Sequence, residues 1–261
     1  MHKRFTARKT FLPHGLVLLF EDKDILVVNK PEGLLTVATA TERFRTAHCI
    51  LTDYIRKGCG RCHKRLFIVH RLDRDTSGTL IFAKSEEAML RLKESWKQTE
   101  KKYLAIVHGK LDKRSDTISS FLEEDKTYTV HSTKDSTRGK LSQTTYTVIK
   151  EKKDFSLLEV VLITGRKNQI RVHLADIGHP VVGDAKYGKT DKVYKRLALH
   201  AWSITFKHPI SGQQLAFEAA VPVFFTAFMG HIDMEINPPR ARHTTITLRA
   251  NQHLTPSAGK A

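Results

Sequence analysis

Short apolar runs separated by polar segments dominate the first part of the chain, and they predict β-strands. Residues 16–20 and 25–28 flank an acidic turn over residues 21–24, which predicts a hairpin. Residues 66–69 and 79–83 are two more strand-like runs, with Ser77-Gly78 as a turn signal between them. This spacing is typical of a sheet built from short strands.

Apolar residues at helical spacing predict three helices further along. They cover residues 46–57, residues 86–98 after the capping residue Ser85, and a segment that begins at Gln169 and ends at Gly178. Strand periodicity returns over residues 101–107, 144–149, 157–163, 197–207 and 214–219. Helices and strands are therefore both expected in one domain.

The polar segments divide the chain into three parts. Residues 1–13 are basic and lack periodicity, which predicts a mobile leader, and residues 14–230 form the folded domain. Residues 231–261 have little apolar content and are expected to be a disordered tail. Within the domain, residues 112–140 are polar and loop-like apart from residues 118–122, and they are predicted to form a surface excursion that contacts the binding partner.

The charge of the chain points to a polyanionic partner. With 44 Lys and Arg against 27 Asp and Glu, the formal net charge is +17, which favours nucleic acid over a merely soluble basic surface. The bases concentrate between residues 56 and 74, where the only acid is Asp73. Charge gathered around one segment is what steering of phosphates toward a site requires.

Export and membrane insertion are not expected. The basic start precedes only a short apolar run, and no run approaches the ~20 apolar residues of a membrane span. Three Cys residues are consistent with reduced thiols, and we expect a cytoplasmic protein.

The segment Cys59-Gly60-Arg61-Cys62-His63 matches two metal-related patterns. Covalent haem attachment would need an export route, and none is indicated. Half of a zinc site, completed by Cys49 or His48, is a second interpretation. The third is a flexible basic loop with incidental thiols, and we predict that no metal and no cofactor is bound.

A polar loop lies between two of the apolar runs, at residues 69–78. A loop held by buried strands is a common place for a reactive group. Its sequence from His70 to Gly78 resembles the HRLDxxTSG signature of the RluA-type family of RNA pseudouridine synthases. In that family the Asp of this motif is the catalytic nucleophile, and here it is Asp73.

Three other segments resemble motifs of the same family. Lys30-Pro31-Glu32-Gly33 is similar to K-P-x-G, which supports the catalytic loop, and Lys101 with Tyr103 is similar to its tyrosine motif. Residues 164–173 resemble T-G-R-x-H-Q-I-R-x-H, with Asn168 where the family usually has His. Asn can replace one hydrogen bond of His but not its charge.

The resemblance covers about residues 16–228 and implies both a fold and an activity. The fold would be α+β: a single catalytic domain with a central mixed, mainly antiparallel sheet, flanked by helices and loops and crossed by an active-site cleft. The activity would be isomerisation of specific uridines in structured RNA, ribosomal or transfer, to pseudouridine. Uracil is detached from ribose, rotated and reattached through carbon, so no cofactor is needed. Separately, we expect a monomer.

The resemblance also implies roles for individual residues. Asp73 would act as an ionised carboxylate near the anomeric carbon, with the Arg171 guanidinium within about 4 Å of it. Tyr103 would place its ring against the flipped base. The predicted RNA contacts are basic side chains around these three: His70, Arg71, Arg74, Arg61, Lys64, Arg65, Arg166 and Lys167.

Two other functions use the same residues. A non-catalytic RNA-binding module on the same fold would have no use for Asp73, Tyr103 and Arg171 together. A hydrolase based on Asp73 would need a second acid, and Asp75 sits in a context that indicates loop structure. The isomerase is therefore the leading hypothesis.

Overall fold

One sheet of thirteen strands organises the part of the chain that the computed structural model describes, namely residues 3–4, 10–57, 59, 63–188 and 194–232. The strands are Lys3–Arg4 (β1), Thr10–Phe11 (β2), Val17–Glu21 (β3), Ile25–Lys30 (β4), Phe67–Ile68 (β5), Ser77–Ala83 (β6), Glu100–His108 (β7), Ser115–Glu124 (β8), Val130–Thr133 (β9), Lys140–Lys152 (β10), Phe155–Leu162 (β11), Leu199–Lys207 (β12) and Gln214–Glu218 (β13). The helices are Ala47–Arg56 (α1), Glu86–Glu94 (α2), Gln169–Asp176 (α3) and Val223–Met229 (α4).

The main path through the sheet is β2-β3-β4-β6-β12-β7-β11-β10-β8-β9, with β5 beside β6 and β13 joining β12 to β1. Two pairs, β6 with β12 and β1 with β13, are parallel, and the other named pairs are antiparallel. The expected α+β fold with a mixed, mainly antiparallel sheet is confirmed.

The central strands are the apolar runs of the sequence. β6 is buried at all seven positions, and β4 and β7 are nearly as inaccessible, because helices and loops cover the middle of the sheet. Helix α2 packs Ala88 and Leu92 into a core cluster with residues of β4, β6, β12 and β13. Ser85 caps this helix as predicted, since its hydroxyl accepts the Ala88 N–H.

The Ser77-Gly78 pair lies inside β6, and the prediction of a turn at this pair is wrong. Gly78 has φ +120°, and a Cβ on it would lie 2.1 Å from the carbonyl oxygen of Ala201. The parallel pairing of Gly78 with Ala201 brings the two backbones into this contact. Glycine is required here by the approach of β12 rather than by a chain reversal.

Residues 112–140 are also more regular than predicted, since they contain β8, β9 and the start of β10. The polar composition reflects strands that are largely accessible to solvent rather than a loop. Serine and threonine side chains pair across them: Ser120 with Ser132 at 3.0 Å, and Thr117 with Thr145 at 2.9 Å.

Other element predictions need smaller corrections. The predicted leader contributes two short strands, β1 and β2, to the sheet. The second predicted helix ends at Glu94, and a separate 3₁₀ turn, Trp96–Gln98, follows it. Helix α4 was not predicted, because seven residues are too few to show a period. Most of the predicted tail lies outside the described residues.

No helix within the described ranges is long and apolar enough to span a membrane.

Candidate active site

A cavity of about 570 Å³ opens on the sheet where three segments meet. One is the loop between β5 and β6, one is β7, and one is the segment that leads into α3. The side chains that line it include Asp73, Tyr103 and Arg171, the three predicted catalytic residues. Tyr103 follows Asp73 by 30 residues in the sequence, and Arg171 follows Tyr103 by 68. The pairing of the central strands brings the three to one site.

The loop that carries Asp73 is held on both sides of the carboxylate. Before it, the Thr36 hydroxyl donates to the Leu72 carbonyl at 2.7 Å and accepts the Leu72 N–H at 3.2 Å. After it, the Lys30 ammonium donates to the Arg74 carbonyl at 3.0 Å. The backbone of Asp73 is therefore fixed by side chains more than thirty residues away in sequence.

Lys30 is completely buried, and its ammonium is fully used. Besides Arg74 it donates to the carbonyls of Pro31, at 2.9 Å, and Leu34, at 2.7 Å. Burial lowers the pKa of Lys30 to about 7, while the charges of Asp75, Asp73 and Glu32 act in the opposite direction. These contacts agree with the supporting role that the K-P-x-G resemblance implied.

Arg171 faces two carboxylates, and the nearer one was not the predicted partner. Its Nε and Nη2 donate to the two oxygens of Asp184 at 2.7 and 2.8 Å, a bidentate pair with a side chain that is 0% exposed. Its Nη1 lies 3.7 Å from Oδ2 of Asp73, within the expected distance. Asp184 thus holds the guanidinium, and Asp73 meets the charge from the other side.

Asn168 supplies a third contact to the same guanidinium. Its side-chain oxygen accepts from Nη1 of Arg171 at 3.0 Å, and its amide nitrogen donates to the Tyr187 hydroxyl at 3.1 Å. The Tyr187 ring lies under the guanidinium, 5.1 Å from its carbon. Asn168 has φ 53°, a left-handed conformation that Asn tolerates better than most residues.

The charges around Asp73 and its burial have opposite effects on the pKa of its carboxyl. Burial raises the pKa of the Asp73 carboxyl, while Arg171, Arg71, Lys30 and Lys167 favour its ionised form. The net direction is upward, so the cations offset burial only in part. A carboxylate of this kind is less stabilised by its surroundings than Asp184 and remains available to an incoming group.

Tyr103 shares the cavity with this carboxylate. The residue is 9% exposed, and burial together with the charge of Asp73 raises the pKa of its phenol. The hydroxyl therefore keeps its proton at neutral pH and offers a donor and a flat ring to the cavity.

The predicted RNA contacts divide into two groups. His70, Arg71, Arg166 and Lys167 line the cavity. Lys64, Arg65 and Arg74 are exposed and do not line it, and Arg61 lies outside the described residues.

His70 was predicted as one of the basic RNA contacts, but its surroundings disfavour the charged form of its imidazole. Its Nε2 accepts the Ile81 N–H at 3.1 Å, and its ring lies 4.7 Å from that of Trp96. Burial, and then the charge of Lys101, lower the pKa of His70 to about 3. The imidazole is therefore neutral and forms part of the cavity wall.

The metal-related pattern at Cys59 falls partly on Cys62, which lies outside the described residues, while Cys59 itself is exposed. In the described ranges, Asp22, Asp24 and His208 come close enough together to share an ion, yet Nε2 of His208 already bonds to Asp22 at 2.9 Å. The absence of a metal stays a prediction.

Sequence reasoning missed the contacts of Thr36, Asp184 and Tyr187. Asp184 and Tyr187 lie within residues 16–228, which the family resemblance covers, but no local pattern names a partner for either. Thr36 gave no signal, because a lone threonine after a turn is common.

Comparison with known proteins agrees with this geometry. The family model described as RNA pseudouridylate synthase matches residues 24–176. An uncharacterized RNA pseudouridine synthase of Mycoplasma pneumoniae is 37% identical over 227 residues, covering 85% of this chain and 72% of the relative. The ribosomal large subunit pseudouridine synthase C of Buchnera aphidicola, from the pea-aphid strain APS, is 33% identical over 82% of this chain and 70% of its own.

A solved structure supports the fold independently of close sequence similarity. Human RNA Pseudouridylate Synthase Domain Containing 4 superimposes with a TM-score of 0.66 at 23% identity, over 80% of this chain and 90% of that one. The shared fold, the family match and the relatives agree with the motif at residues 70–78. The chain therefore belongs to the RluA-type family of RNA pseudouridine synthases, enzymes that convert uridine in RNA to pseudouridine.

Proposed function

We propose that the protein isomerises one or more uridines of large-subunit ribosomal RNA, with Asp73 as the nucleophile. The observation that carries the proposal is the position of Asp73, 3.7 Å from Arg171 in a cavity that also contains Tyr103. The relatives whose names state a substrate act on the large ribosomal subunit, which favours ribosomal RNA.

The cavity is suited to a base that has left its stack. Its volume of about 570 Å³ is in the range of small-molecule sites, and the Tyr103 ring provides a surface against which uracil packs. Taking a nucleotide out of a structured RNA costs a few kcal/mol. The exposed Arg71, at the rim beside Asp73, occupies the vacated space or holds the flanking phosphate.

In the proposed reaction, a carboxylate oxygen of Asp73 bonds to the anomeric carbon while the bond from that carbon to N1 of uracil breaks. The electron pair of the broken bond leaves with the uracil, which stays in the cavity and rotates. Carbon 5 of the uracil then bonds to the anomeric carbon, and the Asp73 oxygen leaves with its electron pair. The proton lost from carbon 5 balances the proton gained at N1.

Arg171 acts by orienting Asp73 and by stabilising its negative charge when the carboxylate departs. Because Asp184 and Asn168 hold the guanidinium, the favourable charge is in place before the reaction begins. The Tyr103 hydroxyl, which keeps its proton, is placed to donate to or relay a proton for the free uracil.

The experiment is a pseudouridine assay on an unmodified large-subunit ribosomal RNA transcript, paired with mapping of ribosomal pseudouridines in a strain that lacks the gene. Wild-type protein is expected to form pseudouridine at the position that the deletion strain leaves unmodified. Asp73→Asn keeps the shape and removes the charge, so turnover should fall at least about a thousandfold while RNA binding is retained.

Asp154→Asn is the matched control, since it makes the same change at an exposed position that does not line the cavity. It should retain activity within about threefold, as expected of a surface substitution. Turnover by Asp73→Asn near the wild-type rate would refute the assignment of Asp73 as the nucleophile. If the deletion strain kept every pseudouridine of its ribosomal RNA, the assignment of ribosomal RNA as the substrate would be refuted. Monomeric state and cytoplasmic location stay predictions.

A further inference from the structure

Lys101 lines the same cavity as Asp73, yet its ammonium forms no ion pair or hydrogen bond with the residues that the structure describes. The residue is 8% exposed. Among the described residues, its ammonium has no carboxylate at ion-pair distance and no hydrogen-bond acceptor. Its Nζ lies 5.4 Å from the ring of Trp96, and its charge also acts on the buried His70.

The two buried lysines of the site differ in this respect. Lys30 fills its three donors with backbone carbonyls, which is how a protein normally accommodates a buried ammonium. Lys101 has no such acceptors among the described residues, and burial lowers the pKa of its ammonium. Because Lys101 lines the open cavity, its acceptors must come from solvent or from a ligand bound there.

The position of Lys101 is rigid and is set relative to the proposed base site. It lies in β7, two residues before Tyr103, so the two side chains project from the same face of the strand, about 7 Å apart along it. β7 is paired on both sides, with Ile204 opposite Lys101 and Val160 opposite Tyr103. An anion at Lys101 would therefore lie about one nucleotide away from a base at Tyr103.

We infer that Lys101, backed by Trp96, binds a backbone phosphate of the RNA next to the flipped uridine. The inference rests on the proposed function for the identity of the RNA and on the geometry for the anion. A phosphate supplies the acceptors that the described residues do not provide and favours the charged form of the ammonium. The exposed Lys93 at the same part of the lining adds to the positive field.

The test measures binding of a single-stranded RNA pentanucleotide with one central uridine, and of copies in which one phosphate at a time is a neutral methylphosphonate. For wild-type protein, one neutralised linkage beside the uridine should weaken binding about tenfold, the value of a charge-assisted hydrogen bond. Lys101→Met should weaken binding of the unmodified RNA by a similar factor. The same methylphosphonate should then cost Lys101→Met less than about twofold, because the two changes remove one contact.

Lys102→Met is the matched control, because Lys102 points to the opposite face and lies 3.8 and 3.7 Å from Glu100 and Glu159. It should keep the wild-type response to every methylphosphonate. Lys101→Arg should restore the response at the same linkage. Lys101→Met should leave the melting temperature nearly unchanged, since it loses only the contact with Trp96 and no ion pair or hydrogen bond, and this result separates a binding defect from misfolding.

The inference would be overturned if the loss of binding affinity caused by Lys101→Met simply added to the loss caused by each methylphosphonate. Competition by millimolar inorganic phosphate together with no methylphosphonate effect would also overturn it, by assigning the site to a free anion. The binding cycle requires no turnover. A failure of the pseudouridine assay with an intact cycle would therefore count against the proposed function alone.

Discussion

Two carboxylates flank one guanidinium in this protein, and they are treated very differently. Asp184 is completely buried and accepts two short hydrogen bonds from Arg171, together with the backbone N–H groups of Lys186 and Tyr187. Asp73 lies 3.7 Å from the same guanidinium, and 36% of its side chain is exposed to the cavity. One carboxylate is fully satisfied by the protein, and the other is not.

From this difference in contacts we expect different roles for the two carboxylates: Asp184 positions Arg171, and Asp73 reacts. A carboxylate with all its lone pairs engaged is a poor nucleophile but a rigid anchor, whereas a recessed and incompletely paired carboxylate retains free lone pairs. Arg171 links the two, because the contact with Asp184 determines where its remaining N–H groups point. The comparison predicts that charge removal at Asp184 harms the fold and charge removal at Asp73 harms the reaction.

The largest expected effect concerns Asp184→Asn. Removing one charge of a buried pair leaves Arg171 uncompensated, so the free energy of unfolding should fall by about 3 kcal/mol. Asp73→Asn should change it by less than about 1 kcal/mol, because burial already disfavours the Asp73 charge. Urea denaturation of both variants measures the contrast, and equal losses would show that the two carboxylates are equivalent supports.

A smaller effect is expected at Asn168, which holds Arg171 from the side. Asn168→Gly keeps the left-handed backbone and removes the amide, so it should lower turnover by about tenfold, the value of one hydrogen bond to a charged group. Asn168→His restores an acceptor and should recover most of the rate. Rapid-quench turnover with saturating RNA makes the comparison, and a Gly variant as fast as wild type would remove Asn168 from the site.

The smallest effect is the dependence of stability on pH through Asp73. Burial raises the pKa of this carboxyl in the folded protein, so between the unfolded pKa of about 3.9 and the higher folded value the native state binds more protons than the unfolded chain. Wild-type stability relative to Asp73→Asn should therefore fall as pH rises through that window, while activity rises. Parallel denaturation curves at a series of pH values test the sign, and a relative gain in stability would mean that Arg171 outweighs burial.

The elements that were predicted correctly are those whose patterning is dictated by burial on one or both faces. The central strands appeared as apolar runs, and the helix predicted at residues 46–57 appeared as a periodic apolar stripe; in the structure it is Ala47–Arg56. The polar strands β8 and β9 were missed, because pairing of solvent-accessible strands leaves no hydrophobic alternation. The turn assigned to Ser77-Gly78 was wrong because the same glycine that permits a turn also permits close approach of two strands.

The sequence by itself determined the family and the α+β class, and it supplied the residues proposed to carry the chemistry, because a contiguous motif around Asp73 and a second around Arg171 are recognisable without knowledge of the fold. The tertiary structure decided the partnerships. Asp184 and Asn168 hold Arg171, Thr36 and Lys30 hold the Asp73 loop, and Lys101 is left unpaired beside them. Hydrogen bonds are directional and short-ranged, so their partners depend on atoms that the folded sheet brings within about 3 Å and that no spacing along the chain reveals.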